Sequence, residues 1–154
     1  MATRGTVQQR IVASQLAALH GSHPTADDVY RGVHATHPNI SKATVYRILN
    51  KMADAHTALK VRTPFGADHF DDTLQPHCHV ICTRCGRVDD VELPGGAGLA
   101  GLDARASAPG YLITGHELLF TGLCPFCRKA PDGGQAPGEG ASAGRTGAAE
   151  KGSG

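Results

Sequence analysis

The chain has 154 residues, of which 40% are hydrophobic and 19% are charged, and its formal net charge is +1. These values indicate a soluble, globular chain that forms one compact domain or two small ones. No apolar run is long enough to cross a bilayer, and the first apolar stretch, Ile11 to Leu19, is interrupted by Ser14 and Gln15 and lacks a cleavage pattern. We therefore expect a cytoplasmic protein without a membrane partner.

The near-neutral total hides an uneven distribution of charge. Residues 1–66 carry eight Lys or Arg against three Asp, a net +5, whereas residues 67–130 carry five basic against eight acidic residues, a net −3. A basic N-terminal part and an acidic, Cys/His-rich C-terminal part indicate a nucleic-acid-binding module joined to a metal-binding module. Chance variation among solvated surfaces explains the uneven charge distribution equally well. The assignment of the two modules therefore depends on the sequence motifs.

Helices dominate the predicted front half. Thr6–His20 has apolar residues at roughly helical spacing, and Gly21 ends this first helix. Thr25 is predicted as the N-cap of a second helix, with Asp28 three residues on as in a capping box. Ser41 is predicted to cap a third helix. The inward stripe of the third helix comprises Val45, Ile48, Leu49 and Met52, and its outer face comprises Lys42, Thr44, Arg47 and Lys51.

A hairpin is predicted after the third helix. The segments LKVRT and HFD flank Pro64-Phe65-Gly66, which suits a turn. Three helices, the third basic on its outer face, followed by such a hairpin predict a winged-helix DNA-binding domain.

The back half is predicted to be a small unit of short strands. These are HCHVIC, GRVDDVEL and YLITGHELLF, with a helical patch around Leu99 to Ala106 before the last. The Gly/Ala/Pro/Ser-rich tail from Pro131 has too few large apolar residues to order itself. The predicted fold class is α+β, with a DNA-binding domain at residues 1–70, a metal-binding domain at 71–130 and a disordered tail at 131–154.

Four of the five cysteines form two C-x-x-C pairs, Cys82 with Cys85 and Cys124 with Cys127. Two such pairs supply the four thiolates of a tetrahedral zinc site, which is usually structural. A redox pair is the alternative, but a thioredoxin-type motif needs one pair near a βαβ pattern, not two. Iron in a rubredoxin-like site is also chemically possible.

His77 and His79 lie two residues apart on a predicted strand, so their imidazoles share one face, whereas Cys82 is expected on the opposite face. Together with His23, Asp71 and Asp90 they would make a second site of three nitrogens and two carboxylates. This harder ligand set suits Fe(II), Mn(II) or Zn(II). Spacing alone supports this grouping only weakly, since single His and Asp residues are more often surface or capping residues. The fifth thiol, Cys78, is expected to be a small packed residue.

Six motifs together resemble the ferric uptake regulator family. They are HPTADDVY, SKATVYRILN, HFD, HCHVICTRCG, VDDVEL and GHELLFTGLCPFC, which run in the family order from about Thr6 to Cys127. The resemblance implies a homodimer with an N-terminal winged-helix domain, a C-terminal α/β dimerisation domain, and double-stranded operator DNA as partner.

The resemblance also implies roles for particular residues. The four paired cysteines match the family's structural Zn²⁺ site, and a second group of five matches its regulatory Fe²⁺ or Mn²⁺ site, which bridges the two domains. That second group comprises His23, Asp71, His77, His79 and Asp90. Tyr46 and Arg47 match the DNA-contacting segment of the family, and Lys42 and Thr44 match flanking phosphate contacts, whereas Lys51 better fits a solvated face.

Asp71 and Asp90 resemble the peroxide-responsive repressor branch, because iron-sensing members usually carry Glu at one or both positions. That branch implies that Fe(II) reacts with hydrogen peroxide and that His23 or His77 is oxidised, which releases the DNA. A sensor of iron or zinc availability is the alternative within the family.

Two departures from the family pattern stand out. A Gly usually follows the recognition helix where this chain has His56. An additional metal site of some iron-sensing members lacks its ligands, because Pro76, Cys78 and Ala97 stand there.

Other classes fit the sequence less well. A zinc hydrolase or deaminase needs an H-x-E or H-E-x-x-H arrangement, which the sequence lacks. A bare zinc-ribbon module needs neither the basic third helix nor the His/Asp set. We therefore expect a transcriptional repressor and not an enzyme.

Overall fold

The computed structural model describes residues 4–64, 66–75, 77–93, 104 and 106–129. Helices and a hairpin come first, and a sheet with a short helix follows, which is the predicted α+β arrangement. The elements are α1 (Arg4–Ala18), α2 (Ala26–Thr36), α3 (Lys42–Asp54), β1 (Leu59–Val61), β2 (His69–Asp71), β3 (Cys78–Cys82), β4 (Val88–Val91), β5 (Leu119–Gly122) and α4 (Pro125–Lys129). Within the described ranges, no helix has the length and apolar character needed to span a membrane. The predicted helical patch beginning at Leu99 falls largely, and the tail from Pro131 entirely, outside the described residues.

The three N-terminal helices pack around one apolar core. Both predicted N-caps are confirmed: the Thr25 side chain accepts from the Asp28 amide, and the Ser41 side chain accepts from the Thr44 amide. The predicted inward stripe of α3 is also confirmed, because all its members are buried. The buried core comprises Val12, Leu16, Ala26, Val29, Val33, Ile40, Val45, Ile48, Leu49, Met52, Ala58 and Phe70.

The turn after α3 has His56 in a left-handed conformation, at the position where the family pattern has glycine. His56 has a φ of +53°, which lies in the left-handed region that costs a non-glycine residue roughly 1–2 kcal/mol. The amide of Thr57 donates to the Met52 carbonyl at 2.9 Å, and the Thr57 hydroxyl donates to the same oxygen at 3.1 Å. These two hydrogen bonds close the turn and direct the chain into β1.

The predicted wing is the antiparallel hairpin of β1 and β2, in which Lys60 lies opposite Phe70. Phe70 is buried in the helical core, so the hairpin is fixed against the helices. Val61, at the end of β1, packs in a second apolar cluster with Ile81 and Val88 of the sheet that follows. The hairpin therefore contacts both halves of the chain.

The C-terminal sheet has the strand order β4, β3, β5. Its central strand, β3, is antiparallel to β4 and parallel to β5. His79 lies opposite Asp90 in the antiparallel ladder, so the two side chains emerge from the same face. The short helix α4 follows β5 directly and carries Cys127.

The last predicted strand was too long. YLITGHELLF was predicted as one strand from Tyr111, but only Leu119 and Phe120 of it belong to β5, which continues to Gly122. Residues 111–118 have no ladder partner in the described part of this single chain, so their apolar alternation is not matched by backbone pairing. Tyr111 and Leu112 are 78% and 88% exposed, respectively.

Candidate metal centre and recognition helix

The four paired cysteines form one compact group, which we call the cysteine cluster. Cys82 ends β3 and Cys85 lies in the turn after it, while Cys124 and Cys127 lie at the start of α4. All four Sγ atoms lie within 4.8 Å of one another, and none is in a disulfide. The two knuckles are held together by Arg84, whose guanidinium donates to the Cys127 carbonyl at 2.6 Å.

The cysteine cluster has the dimensions of a four-thiolate zinc site. Zn–S bonds of about 2.3 Å give a tetrahedron whose edges are about 3.8 Å long. The Sγ atoms of Cys85 and Cys124 are 3.8 Å apart. Burial raises the pKa of the Cys82 thiol, but backbone N–H groups, among them that of Cys124 at 3.3 Å, bring that pKa down to about 6. The local backbone therefore stabilises a thiolate, which is the form that binds metal.

The five remaining predicted ligands form a second group, the histidine-aspartate cluster. It comprises His23, Asp71, His77, His79 and Asp90, whose ligand atoms all lie within 4.8 Å of one another. His23 comes from the turn between α1 and α2, and Asp71 ends β2. His77 immediately precedes β3, His79 lies in β3, and Asp90 lies in β4. Both halves of the chain thus contribute to one group.

Backbone contacts between the His23 turn and β2 bring the N-terminal members together. His23 has a φ of +47°, a left-handed conformation that turns the chain sharply before α2. Its carbonyl accepts from Nδ1 of His69 at 2.5 Å, and the Pro24 carbonyl accepts from the Phe70 amide at 2.9 Å. The turn is therefore joined to β2 immediately before Asp71.

The spacing of the ligand atoms fits a small divalent cation. Bonds of about 2.1 Å place ligand atoms about 3.0 Å apart at a right angle, about 3.6 Å apart at 120° and about 4.2 Å apart on opposite sides of the ion. Nε2 of His77 lies 2.9 Å from Oδ2 of Asp71 and 2.9 Å from Nε2 of His79. The contacts of His23 are 2.8 Å to Asp90 and 3.9 Å to Asp71. These separations span the range expected of five ligands around one ion.

Several polar atoms in the histidine-aspartate cluster are buried without a hydrogen-bond partner in the described protein. These atoms are both ring nitrogens of His23 and Oδ2 of Asp71. Other polar atoms lie near them, but none forms a hydrogen bond of acceptable geometry with them in the described residues. Leaving such groups unsatisfied in an apolar interior is unfavourable, and a cation at their centre would satisfy them. The ligand atoms therefore fit a metal better than they fit one another.

The protonation states also suit metal binding. Burial lowers the pKa of His23 and outweighs the opposing charges of Asp90 and Asp71, so this imidazole stays neutral at pH 7. Burial raises the pKa of Asp71, but the His79 imidazole and the Thr73 amide, which donates at 2.9 Å, reverse this and hold the pKa well below its ordinary value. A neutral imidazole and an ionised carboxylate are the ligand forms that a divalent metal requires.

The two clusters lie on opposite faces of β3. His79 and Ile81 share one face, and Cys78, Val80 and Cys82 share the other, because side chains alternate along a strand. The strand runs unbroken from Cys78 to Cys82, so the alternation from which the division of the PHCHVICTRCG stretch was predicted is present. Cys78 is buried and belongs to neither cluster, as expected.

The predicted DNA-binding residues lie along α3. Arg47 and Lys42 are exposed, whereas Thr44 and Tyr46 are half-buried. Tyr46 packs against the helical core and its hydroxyl donates to Asp27 at 2.7 Å, so the ring both packs and reaches the surface. Lys51 is exposed one turn after Arg47. The structure therefore presents a basic surface along α3.

Some residues that shape these sites were not predicted. His69 and Thr73 fix the backbone and carboxylate around Asp71, and Arg84 joins the two parts of the cysteine cluster. His20 donates to Asp72 at 2.8 Å beside the histidine-aspartate cluster. The contacts of His69, Arg84 and His20 span 43 to 52 residues of sequence, so no local pattern signals them, although HFD does mark His69 as part of a motif. Thr73 contacts Asp71 only two residues away, but its backbone amide makes this contact, so its residue type gives no signal.

Comparison with known proteins gives a consistent result. A model of the ferric uptake regulator family matches residues 1–119. The peroxide operon regulator of Bacillus subtilis is 32% identical over 108 residues, which cover 70% of this chain and 73% of that protein. The peroxide-responsive repressor PerR of Staphylococcus saprophyticus is 31% identical over 125 residues, which cover 81% and 82% of the two chains.

Solved structures share the fold. The ferric uptake regulator of Helicobacter pylori has a TM-score of 0.65 at 20% identity and covers 80% of this chain and 81% of its own. The Campylobacter jejuni peroxide stress regulator has a TM-score of 0.63 at 24% identity, with coverage of 82% and 91%. The six motifs, the two ligand clusters and the family match lead to one assignment. The chain belongs to the ferric uptake regulator family.

Proposed function

We propose that this protein is a metal-dependent, DNA-binding transcriptional repressor whose metal site senses peroxide. The observation that carries the proposal is the histidine-aspartate cluster, which takes His23 and Asp71 from the helical half and His77, His79 and Asp90 from the sheet half. A metal bound there favours one arrangement of the two halves. Binding energy at the metal is thereby linked to the placement of α3 on DNA.

The two clusters differ in chemistry, so we assign them different metals. The buried cysteine cluster suits a structural Zn²⁺ with four thiolates. Imidazoles and carboxylates are harder ligands and suit a regulatory Fe²⁺ or Mn²⁺. The side chain of Asp90 is 51% exposed, so this second site is open to small solutes on one side. A closed first site and an open second site fit a structural and a regulatory role, respectively.

We place the domain boundary near Asp71, with the winged-helix domain at 1–70 and the dimerisation domain at 71–130. In this division His23 is the regulatory ligand from within the DNA-binding domain, and Asp71 lies at the junction. On DNA, Lys42, Thr44, Tyr46 and Arg47 of α3 are the proposed contacts, with the basic side chains on phosphates. The region has the net positive charge that such contacts need.

A second copy of the chain is the proposed partner of the sheet half. The large exposed apolar side chains near β5 and α4 are Tyr111, Leu112, Leu118, Phe120, Leu123 and Phe126. Such a concentration of exposed apolar surface is typical of a protein interface. A dimer also presents two α3 helices, as a DNA site with twofold symmetry requires.

The ligand set supports peroxide sensing over metal-availability sensing. The Bacillus subtilis and Staphylococcus saprophyticus relatives, both above 30% identity, are named for peroxide regulation, and this chain has Asp at both acidic ligand positions. His23, Asp71, His77, His79 and Asp90 would hold the Fe²⁺, which when bound would supply the electrons for the reduction of hydrogen peroxide. His23 and His77 are the imidazoles proposed to gain an oxygen atom, after which they ligate poorly and the DNA-binding arrangement is lost.

The test compares the iron form with the manganese form. Zinc-replete protein is loaded with Fe²⁺ or Mn²⁺ without oxygen, bound to an operator duplex selected from a random pool, and exposed to peroxide. We expect DNA release and an added oxygen atom on the peptides containing His23 or His77 only in the iron form. His34, which is exposed on α2 away from the cluster, serves as the internal control peptide. Retention of DNA by the iron form, with unmodified peptides, would leave metal availability as the signal.

A further inference from the structure

One acidic side chain lies against the proposed DNA-contacting surface of α3. Asp27, in the first turn of α2, binds two of the residues proposed to contact DNA. Its carboxylate lies 2.7 Å from Nζ of Lys42, and it accepts a hydrogen bond of 2.7 Å from the hydroxyl of Tyr46. The Lys42 ammonium also lies 5.6 Å from the centre of the Tyr46 ring. The three side chains therefore form one linked group.

The two charged members of this group lie at the surface, whereas the Tyr46 ring packs against the helical core. The side chains of Lys42 and Asp27 are 54% and 44% exposed, respectively. Exposed ion pairs add little to stability, and α2 and α3 are already held together by buried residues such as Val29, Val33 and Val45. A role in holding the helices together is therefore a weak explanation of the group. The group lies on the surface that would face DNA, so a role in DNA binding is the better explanation.

We propose that Asp27 is a specificity-determining residue for DNA binding. Its carboxylate holds Lys42 back from the phosphates of arbitrary DNA and fixes the Tyr46 hydroxyl in one position for a matching site. This inference rests on the proposed function, because it requires α3 to contact DNA. The hydrogen bonds from Lys42 and Tyr46 lower the pKa of Asp27, so its charge persists at neutral pH.

The physical argument concerns the electrostatic part of DNA affinity. Each cation that neutralises a phosphate contributes to binding of any sequence and adds about 0.9 to the magnitude of the salt slope on duplex DNA. Pairing Lys42 with Asp27 removes one such cation, and the carboxylate itself repels phosphates. Non-specific affinity is therefore reduced more than operator affinity, in which base contacts and the position of Tyr46 also count.

The test measures binding of the Mn²⁺-loaded, zinc-replete protein to two fluorescent duplexes, one of random sequence and one selected from a random pool by the wild type. The variants are Asp27→Asn, Lys42→Gln, the double variant and Tyr46→Phe. Asp54→Asn is the matched control, because it removes the same charge from the exposed far end of α3. Circular dichroism and thermal unfolding verify that each variant is folded.

For Asp27→Asn we expect affinity for the random duplex to rise about threefold to tenfold near 100 mM salt and the salt slope to steepen by about one. The preference for the selected duplex should fall accordingly. Adding Lys42→Gln should reverse the change in slope, and Tyr46→Phe should weaken only binding to the selected duplex.

Two results would overturn the inference. One is an Asp27→Asn variant with wild-type affinity and slope on the random duplex, and the other is an equal change in Asp54→Asn, which would reduce the effect to total charge. If the wild type showed no Mn²⁺-dependent binding to the selected duplex, the proposed function would fail and this inference with it. If the wild type binds the selected duplex as expected, the proposed function holds, and the variants then test the role of Asp27 alone.

Discussion

Replacing His23 by Ala tests whether the regulatory metal links the two halves of the chain. His23 is 3% exposed and its Nε2 points at the two carboxylates of the histidine-aspartate cluster. The variant removes a proposed imidazole ligand that comes from the helical half, and it leaves the cysteine cluster intact. We therefore expect it to weaken Mn²⁺ binding without loss of zinc.

The expected magnitude follows from linkage. Mn²⁺ at 100 times its Kd stabilises the folded protein by about 2.7 kcal/mol. Loss of a residue that merely supports a metal ligand weakens affinity about 10- to 100-fold, so loss of a ligand should do at least as much. At the same metal concentration, a Kd weakened by these factors leaves about 1.4 to 0.4 kcal/mol of stabilisation.

The measurement is the free energy of unfolding in urea with and without Mn²⁺, compared within each variant. The comparison is internal because Ala at a φ of +47° also destabilises the metal-free protein, and this effect cancels in the difference. His34→Ala, which removes an exposed imidazole from α2, should keep the full increment. A His23→Ala protein with the wild-type increment would refute the proposed site.

Three further predictions concern the core, the zinc site and a surface histidine. Leu49→Ala, at a fully buried position of α3, should lower the free energy of unfolding by about 2–5 kcal/mol in denaturant titrations. Cys85→Ser should make zinc easier to extract with a chromophoric chelator and reduce the thiolate-to-metal absorption of the cobalt-substituted protein. The pKa of His20 is raised by the hydrogen bond and charge of Asp72. The stabilisation from this pair is full below about pH 6.5 and is lost as pH rises through the raised pKa. Titration of the His20 ring by NMR should give a pKa above the ordinary value, and Asp72→Asn should lower it.

Local sequence patterns predicted the N-terminal helices and the four-thiolate group well, for identifiable reasons. Capping by Thr25 and Ser41 depends on contacts within three residues, and the apolar stripe of α3 repeats at the helical period. A C-x-x-C pair likewise defines half of a zinc site within one turn of the chain. In each case the residues that determine the structure are close in sequence.

The last strand shows where such patterns are insufficient. The alternation in YLITGHELLF is that of a strand, yet only its end from Leu119 pairs with β3. Backbone pairing requires a neighbouring strand, and alternation does not reveal whether one is present. In the proposed dimer, the exposed residues Tyr111 and Leu112 gain neighbours from a second copy, which a single sequence cannot specify.

Prediction of the histidine-aspartate cluster depended on the family resemblance more than on local sequence patterns. Strand alternation put His77 and His79 on one face, but His23 lies more than fifty residues earlier, so spacing supported its inclusion only weakly and the family resemblance was needed to assign it. Its position results from a left-handed turn whose carbonyl accepts from His69, a contact across 46 residues. The same hydrogen bond ties the entry to α2, and hence Asp27 and α3, to the strand that carries Asp71. In the proposed function, the His69 side chain thus connects the metal-binding end of β2 to the turn that precedes α2.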